Sequence, residues 1–201
     1  KERFLLGKDG ELIVVPKHLP ADAEGLQVEF RGEPKSNITD AVYSMLADEA
    51  KVINKIKKEF PQYLLSNEPI IKTNRKIKLE ARRNYNKGVI SYQNLYGHLR
   101  NAVKQNESTA SIHISITDSE FYSRGYMSNK QFIQSDVTVN KLWDFPSFIR
   151  YMDKKFIDEI KASKRKPGFY EIKPDGRIEY RSLPCNVDIN KLINVVNEYK
   201  F

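Results

Sequence analysis

The chain has 201 residues, of which 40% are hydrophobic and 11% aromatic, a composition that builds a full core and differs from that of disordered chains. Its apolar runs, such as residues 12–15, are far shorter than the roughly 20 residues that cross a bilayer, so no membrane span is predicted. The one cysteine, Cys185, excludes an internal disulfide and a multi-cysteine zinc site and favours a reducing, cytoplasmic setting.

The charge of the chain favours an anionic partner. Lysine and arginine total 34 against 26 for aspartate and glutamate, which leaves a formal net charge of +8. Such a charge suits a nucleic acid, a nucleotide or an acidic surface. The basic residues are dispersed, however, and the longest unbroken run covers only Lys164–Lys166. An anion-binding face and a merely solvated surface therefore both stay open.

The chain begins with short strands. Turn residues at 7–10 separate two apolar runs, 4–6 and 11–15, and predict a hairpin. Strict alternation of apolar and polar residues over Leu26–Arg31 predicts another strand.

A long helix follows these strands. Ser36 or Asn37 can cap its start, apolar residues recur at helical spacing as far as Ile56, and Pro61 lies just beyond its end. The mixture of apolar pairs and turn residues over 63–78 predicts irregular strands.

The remaining elements complete a mixed pattern. Apolar spacing predicts helices over 92–105 and over Phe145–Ala162, and a last helix after a cap at Asp188. Strict alternation predicts a strand over Ser111–Ile116, and the turn at 174–176 predicts a hairpin between 168 and 184. Antiparallel hairpins at both ends with helices between and after them indicate an α+β fold.

Four predicted strands each carry one unusual polar residue among apolar neighbours: Glu2, Glu29, His113 and Glu179. If all four project from the same face of one sheet, they form a ring of three carboxylates and an imidazole. Carboxylate oxygens suit Mg²⁺ or Mn²⁺, and an imidazole is compatible with Mn²⁺.

The C-terminal hairpin adds three cations to this ring: Lys173, Arg177 and Arg181. These side chains could bind the phosphates of a nucleotide, and Arg181 could do so with the bidentate geometry that lysine lacks. The opposing interpretation is an antiparallel sheet with one wet face, where cross-strand Glu–Arg pairs are ordinary.

The hairpin GFYEIKPDGRIEYRSLP resembles the closing motif of the phage-associated carboxylate–amine ligases, amidoligases built on the catalytic domain of glutamine synthetase. Eight positions match that motif in order: Gly168, Lys173, Pro174, Gly176, Glu179, Tyr180, Arg181 and Leu183. Four further patches fall in the matching order: ERFLLGKDGEL, GLQVEFRGEP, TASIHISI and RYMDKK. The resemblance therefore extends over nearly the whole chain in discontinuous pieces.

The resemblance implies one amidoligase-like domain over residues 1–201, in which helices pack on one face of a curved antiparallel sheet. It implies ATP and Mg²⁺ or Mn²⁺ as cofactors, and carboxylate and amine substrates that are free or carried on a peptide or protein. A substrate carboxylate attacks the γ-phosphate to give an acyl phosphate, which an amine opens to an amide. The compartment implied is the cytoplasm, that of the host if the protein is phage-encoded.

The resemblance also assigns roles by position. Four residues are implied as metal ligands: Glu2, Glu29, His113 and Glu179. Three residues are implied as catalytic groups around the transferred phosphoryl group: Lys173, His113 and Arg181.

Several positions depart from the family pattern. Ser111 stands where the family has the first histidine of a His-x-His strand, and serine is a poor ligand for a divalent metal. Glu171 stands where an arginine is expected, which reverses a charge where phosphate would lie. Thr109 and Ala110 replace a double glycine. A second hypothesis follows: a non-catalytic phage or bacterial protein that keeps the fold and binds a protein or nucleic-acid partner through its basic surface.

Overall fold

The computed structural model of the chain describes residues 1–22, 25–73, 76, 77, 80, 107–116, 145–172 and 178–199. Within them lie eight strands: β1 (Glu2–Leu6), β2 (Gln27–Glu29), β3 (Leu64–Leu65), β4 (Ile70–Lys72), β5 (Glu107–Thr109), β6 (Ile114–Ile116), β7 (Tyr170–Ile172) and β8 (Ile178–Tyr180). The same residues include four helices: α1 (Ile38–Glu59), α2 (Phe145–Lys155), α3 (Ile157–Ala162) and α4 (Ile189–Glu198).

The strands form three small antiparallel sheets, in the orders β2-β1-β3, β4-β5 and β6-β8-β7. The protein is therefore a mixed α and β structure with antiparallel sheets, as the sequence predicts. The first and third sheets meet where the Glu2 amide donates to the Ser111 carbonyl at 2.7 Å. Ser111 also forms an isolated bridge with Pro184, next to the end of β8.

The predicted N-terminal hairpin is shorter than expected. The turn forms, with Gly10 donating to Gly7 at 3.1 Å and Gly10 in the left-handed region at φ +75°, which glycine adopts without strain. Residues 11–15 do not continue as a paired strand: Leu12 makes an isolated bridge to Leu6. The reason is that β2 occupies the same edge of β1 from Glu2 to Phe4, and the Val15 amide donates instead to the Gly25 carbonyl at 3.0 Å.

Helix α1 begins and ends where the sequence predicts. Asn37 is the cap, and its side-chain oxygen accepts from the Asp40 amide at 2.8 Å. The apolar face of α1 is buried, and a Cβ on Gly32 would lie 2.9 Å from the Ala41 carbonyl oxygen. The loop after β2 therefore lies directly against α1, which holds that loop over the helix.

The predicted helix over Phe145–Ala162 is two helices, and the prediction of one continuous element was wrong. The break is at Phe156, where φ is −122° and ψ is 21°. Phe156 is fully buried, so core packing of its ring competes with regular helix geometry there. The last helix, α4, starts after Asp188, whose carboxylate accepts from the Lys191 amide at 3.0 Å.

One main hydrophobic core joins two of the sheets to the helices. It contains residues from the β1–β2 sheet, the β6–β8 sheet and helices α1, α2 and α4, among them Phe30, Phe148, Tyr180 and Leu192, each at most 1% exposed. No helix within the described ranges is long and apolar enough to span a membrane. The helix predicted over 92–105 lies outside the described residues.

A buried ion pair ties β1 to α1. The Glu49 carboxylate accepts from Arg3 Nη1 at 2.8 Å and from Lys1 Nζ at 3.0 Å. Glu49 is 6% and Arg3 9% exposed. Arg3 also donates to the carbonyls of Ser66 and Leu65, at 3.0 and 2.9 Å, so the guanidinium is satisfied only when β1, α1 and the β3 segment are all in place.

Removal of the Glu49 carboxylate should leave the Arg3 charge buried and partly unpaired. We expect Glu49→Ala to lower the free energy of unfolding by about 3 kcal/mol in urea titrations. The matched control is Glu33→Ala, which breaks an exposed pair with Lys35 and should change stability little. Equal losses in the two variants would contradict a structural role for the buried pair.

Candidate functional site

Strand pairing brings the first two predicted site residues together. Glu2 on β1 and Glu29 on β2 are directly opposite each other in the antiparallel register. Glu29 lies at the end of β2, where Arg31 Nη2 donates to its Oε2 at 2.8 Å. The Arg31 cation thus offsets one of two carboxylates that would otherwise repel each other across the pair.

Ser111 links this pair to the histidine strand. Its amide and its hydroxyl both donate to Glu2 Oε2, at 3.2 and 2.5 Å. His113 Nε2 lies 2.5 Å from the same hydroxyl oxygen and 3.8 Å from Glu2 Oε2. With Glu2 ionised, the hydroxyl proton points to the carboxylate and the hydroxyl lone pairs accept from the Nε2–H of His113.

The third sheet supplies the remaining acid. β6 and β8 pair so that Ser115 is opposite Glu179, and His113 Nδ1 lies 3.5 Å from Glu179 Oε1. Arg181 Nε lies 3.4 Å from the same oxygen. His113 is therefore placed between the Glu2 and Glu179 carboxylates, one at each ring nitrogen.

Three of these side chains line a cleft of about 780 Å³, while Glu2 lies behind them, outside its lining. Glu29, His113 and Glu179 form its polar end, with Lys1 and Arg31 beside them. Apolar residues of α1 and the strands form its walls: Phe30, Ile38, Val42, Met45, Ile112 and Ile114. A cleft of this size takes a nucleotide-sized ligand.

Burial shifts the pKa values of two charged groups at this site. Burial raises the pKa of the Glu2 carboxyl, and the Ser111 hydrogen bond and the Arg181 charge oppose that rise. Burial also lowers the pKa of the Arg165 guanidinium, and the Glu2 charge opposes that fall. Arg165 donates to the Arg181 carbonyl at 3.1 and 2.5 Å, so it crosses from α3 to the end of β8.

The structure brings Glu2, Glu29, His113 and Glu179 together, and their role as metal ligands stays a prediction. The wet-face interpretation does not fit, because the side chains of Glu2, His113 and Glu179 are only 12%, 15% and 11% exposed. Arg181 joins the group through Glu179. Lys173 and Arg177, predicted as phosphate ligands, lie outside the described residues.

The sequence interpretation missed Arg165 and the part played by Ser111. Arg165 belongs to the basic run Lys164–Lys166, which reads as a solvated surface stretch. Its burial depends on contacts with Thr109 and Arg181, both distant along the chain, so no local signal indicates it. In the predicted strand Ser111–Ile116, Ser111 and His113 lie on the same face, and that pattern does indicate a shared site.

The side chains at this site are of types that bind a divalent cation, but they are not arranged to hold one. Three carboxylates and an imidazole are the chemistry expected for Mg²⁺ or Mn²⁺. Yet in the part of the chain that the structure describes, no group of three or more His, Cys, Asp or Glu side chains could hold a metal ion as it stands. Glu2 is engaged by Ser111 and Glu29 by Arg31. The site is thus compatible with a cation by donor type and is not preassembled for one.

Comparisons with protein-family models, with curated proteins and with solved structures find no match to this chain. The site must therefore be interpreted from its own geometry.

Loss of the Ser111 hydroxyl should destabilise the protein. Ser111→Ala leaves the buried Glu2 carboxylate with the Ser111 backbone amide but without its shortest donor, and we expect a loss of about 1–3 kcal/mol in the free energy of unfolding. Chemical denaturation at pH 7 measures it. Ser147→Ala is the matched control, since that hydroxyl only accepts from exposed Arg150. A loss no larger than that of the control would contradict the assigned hydrogen bond.

Proposed function

We propose that the protein is an ATP- and divalent-metal-dependent carboxylate–amine ligase-like protein with degraded catalysis. The observation that carries this proposal is the convergence of Glu2, Glu29, His113 and Glu179, the last three of which line the cleft. These residues are spread over more than 170 positions of sequence, on segments that the ligase motif places in the same order. The lining of the cleft supports the proposal because it pairs an apolar wall with an acidic end.

The finer fold assignment is part of the same proposal. In it, the β2-β1-β3 and β6-β8-β7 sheets, joined through Glu2 and Ser111, are the two halves of one curved antiparallel surface of the glutamine synthetase type. Helices α1 and α4, which contact each other, cover one face of that surface. The cleft lies between the strands and α1.

The proposed chemistry assigns a task to each described residue. A substrate carboxylate attacks the γ-phosphorus of ATP, ADP leaves, and an amine then displaces phosphate from the acyl phosphate. A bound divalent cation supplies neutralisation of phosphate charge, and Glu29 and Glu179 are the residues that would hold it. Arg181 stabilises charge on the phosphoryl group, and His113 contacts the phosphates from the floor of the cleft.

Two features account for the degraded catalysis. Ser111 replaces an imidazole ligand and binds Glu2 itself. Glu171 forms an ion pair with Arg181, so the arginine is engaged within the protein. Each contact satisfies internally a group that an active ligase keeps for its ligand.

Glu179→Gln should weaken ATP binding only when a divalent cation is present. If Glu179 acts by holding a cation, its loss lowers ATP affinity roughly tenfold in Mn²⁺. Without metal the same variant should bind ATP at least as well as wild type, because a negative charge near the phosphates has been removed. Isothermal titration calorimetry with and without Mn²⁺ measures both effects.

The control is Glu198→Gln, which removes the same charge from an exposed pair with Lys155 on another part of the surface. It should leave ATP affinity unchanged in both conditions. Equal affinity of wild type and Glu179→Gln in Mn²⁺, or no ATP binding by either protein, would count against the ligase-like function.

A second candidate is a non-catalytic protein that binds single-stranded nucleic acid. Phe169 and Tyr170 are 42% and 41% exposed at the start of β7, and Lys166 is exposed nearby. The Arg181 guanidinium carbon lies 5.7 Å from the centre of the Phe169 ring. Exposed aromatic rings beside cations form stacking surfaces for unpaired bases.

Phe169→Ala distinguishes this candidate. If the ring stacks on a base, the variant should bind a single-stranded oligonucleotide roughly tenfold more weakly, and the affinity should fall steeply with salt. Fluorescence anisotropy at about 50 mM salt and above measures both. Tyr43→Ala, which removes an exposed ring from α1, is the control. The absence of any shift for wild-type protein at the lowest salt would exclude this candidate.

A further inference from the structure

The C-terminal hairpin opposes two like charges. β7 and β8 pair so that Glu171 and Glu179 are directly opposite each other. Like charges in this position destabilise a strand pair unless a cation lies between them. Arg181 is that cation: its Nη1 donates to Glu171 Oε2, and its Nε lies 3.4 Å from Glu179 Oε1.

The guanidinium of Arg181 keeps unused hydrogen-bonding capacity. Its Nε is buried, and among the described residues it has no hydrogen-bond acceptor in good geometry, the contact with Glu179 being one of charge. Its central carbon lies 5.7 Å from the centre of the Phe169 ring. A guanidinium beside a ring, with one donor unpaired and another on an exposed carboxylate, is suited to a planar or tetrahedral oxyanion.

We infer that Arg181 is the centre of a phosphate-binding site and that Glu171 occupies this site when no ligand is bound. The inference rests on the proposed function and extends it, because it names Glu171 as the residue that sets the affinity for the phosphate end of the ligand. An incoming phosphate displaces the Glu171 carboxylate from Arg181 and takes over its hydrogen bonds. Glu171 then returns to solvent.

The exposure of the pair makes this exchange possible. The Glu171 side chain is 46% exposed and that of Arg181 is 27% exposed, so the carboxylate can rotate into water without crossing the core. An exposed pair of this kind competes with a ligand by a factor of only about 1.4 to 5 in affinity. Glu179, by contrast, is 9% exposed and stays in the cluster.

The test compares anion binding by wild type, Glu171→Gln, Glu171→Asp and the charge control Glu198→Gln. Inorganic pyrophosphate without metal probes the Arg181 site alone, and ATP with Mn²⁺ probes the complete site, both by calorimetry. Glu171→Gln should bind pyrophosphate about two- to fivefold more tightly than wild type. Glu171→Asp should show a smaller gain, because its shorter side chain contacts Arg181 less well while keeping the charge.

The outcomes separate the two proposals. Unchanged or weaker pyrophosphate binding by Glu171→Gln, or an equal gain in Glu198→Gln, overturns the role of Glu171. A gain for pyrophosphate with no binding of ATP in Mn²⁺ supports the Arg181 site and removes the ligase-like function. If ATP binding in Mn²⁺ depends on Glu179 but not on Glu171, the ligase-like function is supported and the role of Glu171 is overturned. Arg181→Gln should lose pyrophosphate binding with either residue at position 171, and its thermal unfolding checks that it is folded.

Discussion

The contact between Glu2 and Ser111 is the interaction on which the site depends. The Glu2 amide donates to the Ser111 carbonyl, and the Ser111 amide and hydroxyl both donate to the Glu2 carboxylate. Three hydrogen bonds thus join residues 109 positions apart. Because Glu29 pairs with Glu2 on one sheet, and Glu179 lies on another with His113 beside it, this junction is what makes two acidic strand ends neighbours.

Burying acids at such a junction requires cations from elsewhere in the chain. Burial raises the pKa of Glu2, and the Arg181 charge opposes that shift. Arg31 pairs with Glu29, and Arg165 crosses from α3 to the end of β8. Part of the positive charge of the chain therefore serves to balance the acids of the site rather than to attract a partner.

Local chemistry explains which features the sequence predicts. Asn37 and Asp188 are caps whose signal lies within three residues of the backbone amide they bind, so α1 and α4 start where expected. The alternation of apolar and polar residues over Ser111–Ile116 and around Glu179 correctly predicts which side chains share a face. The break at Phe156 and the burial of Arg165 depend on packing partners far along the chain, and no local pattern carries that information. The alternation marks the four site residues as candidates for one sheet face, but periodicity alone does not pair strands, so it does not show that they are neighbours.

Two contacts at the site are complementary in their physics. A cluster of bare carboxylates needs a bound cation, and a bare arginine beside it needs a bound anion. Ser111 supplies Glu2 with a neutral donor, and Glu171 supplies Arg181 with an internal anion. Each contact therefore stabilises the ligand-free fold by about the amount that it would take from the binding of a ligand to the same group. With both contacts, the cleft can stay folded while empty, at the expense of the affinity that unsatisfied groups would provide.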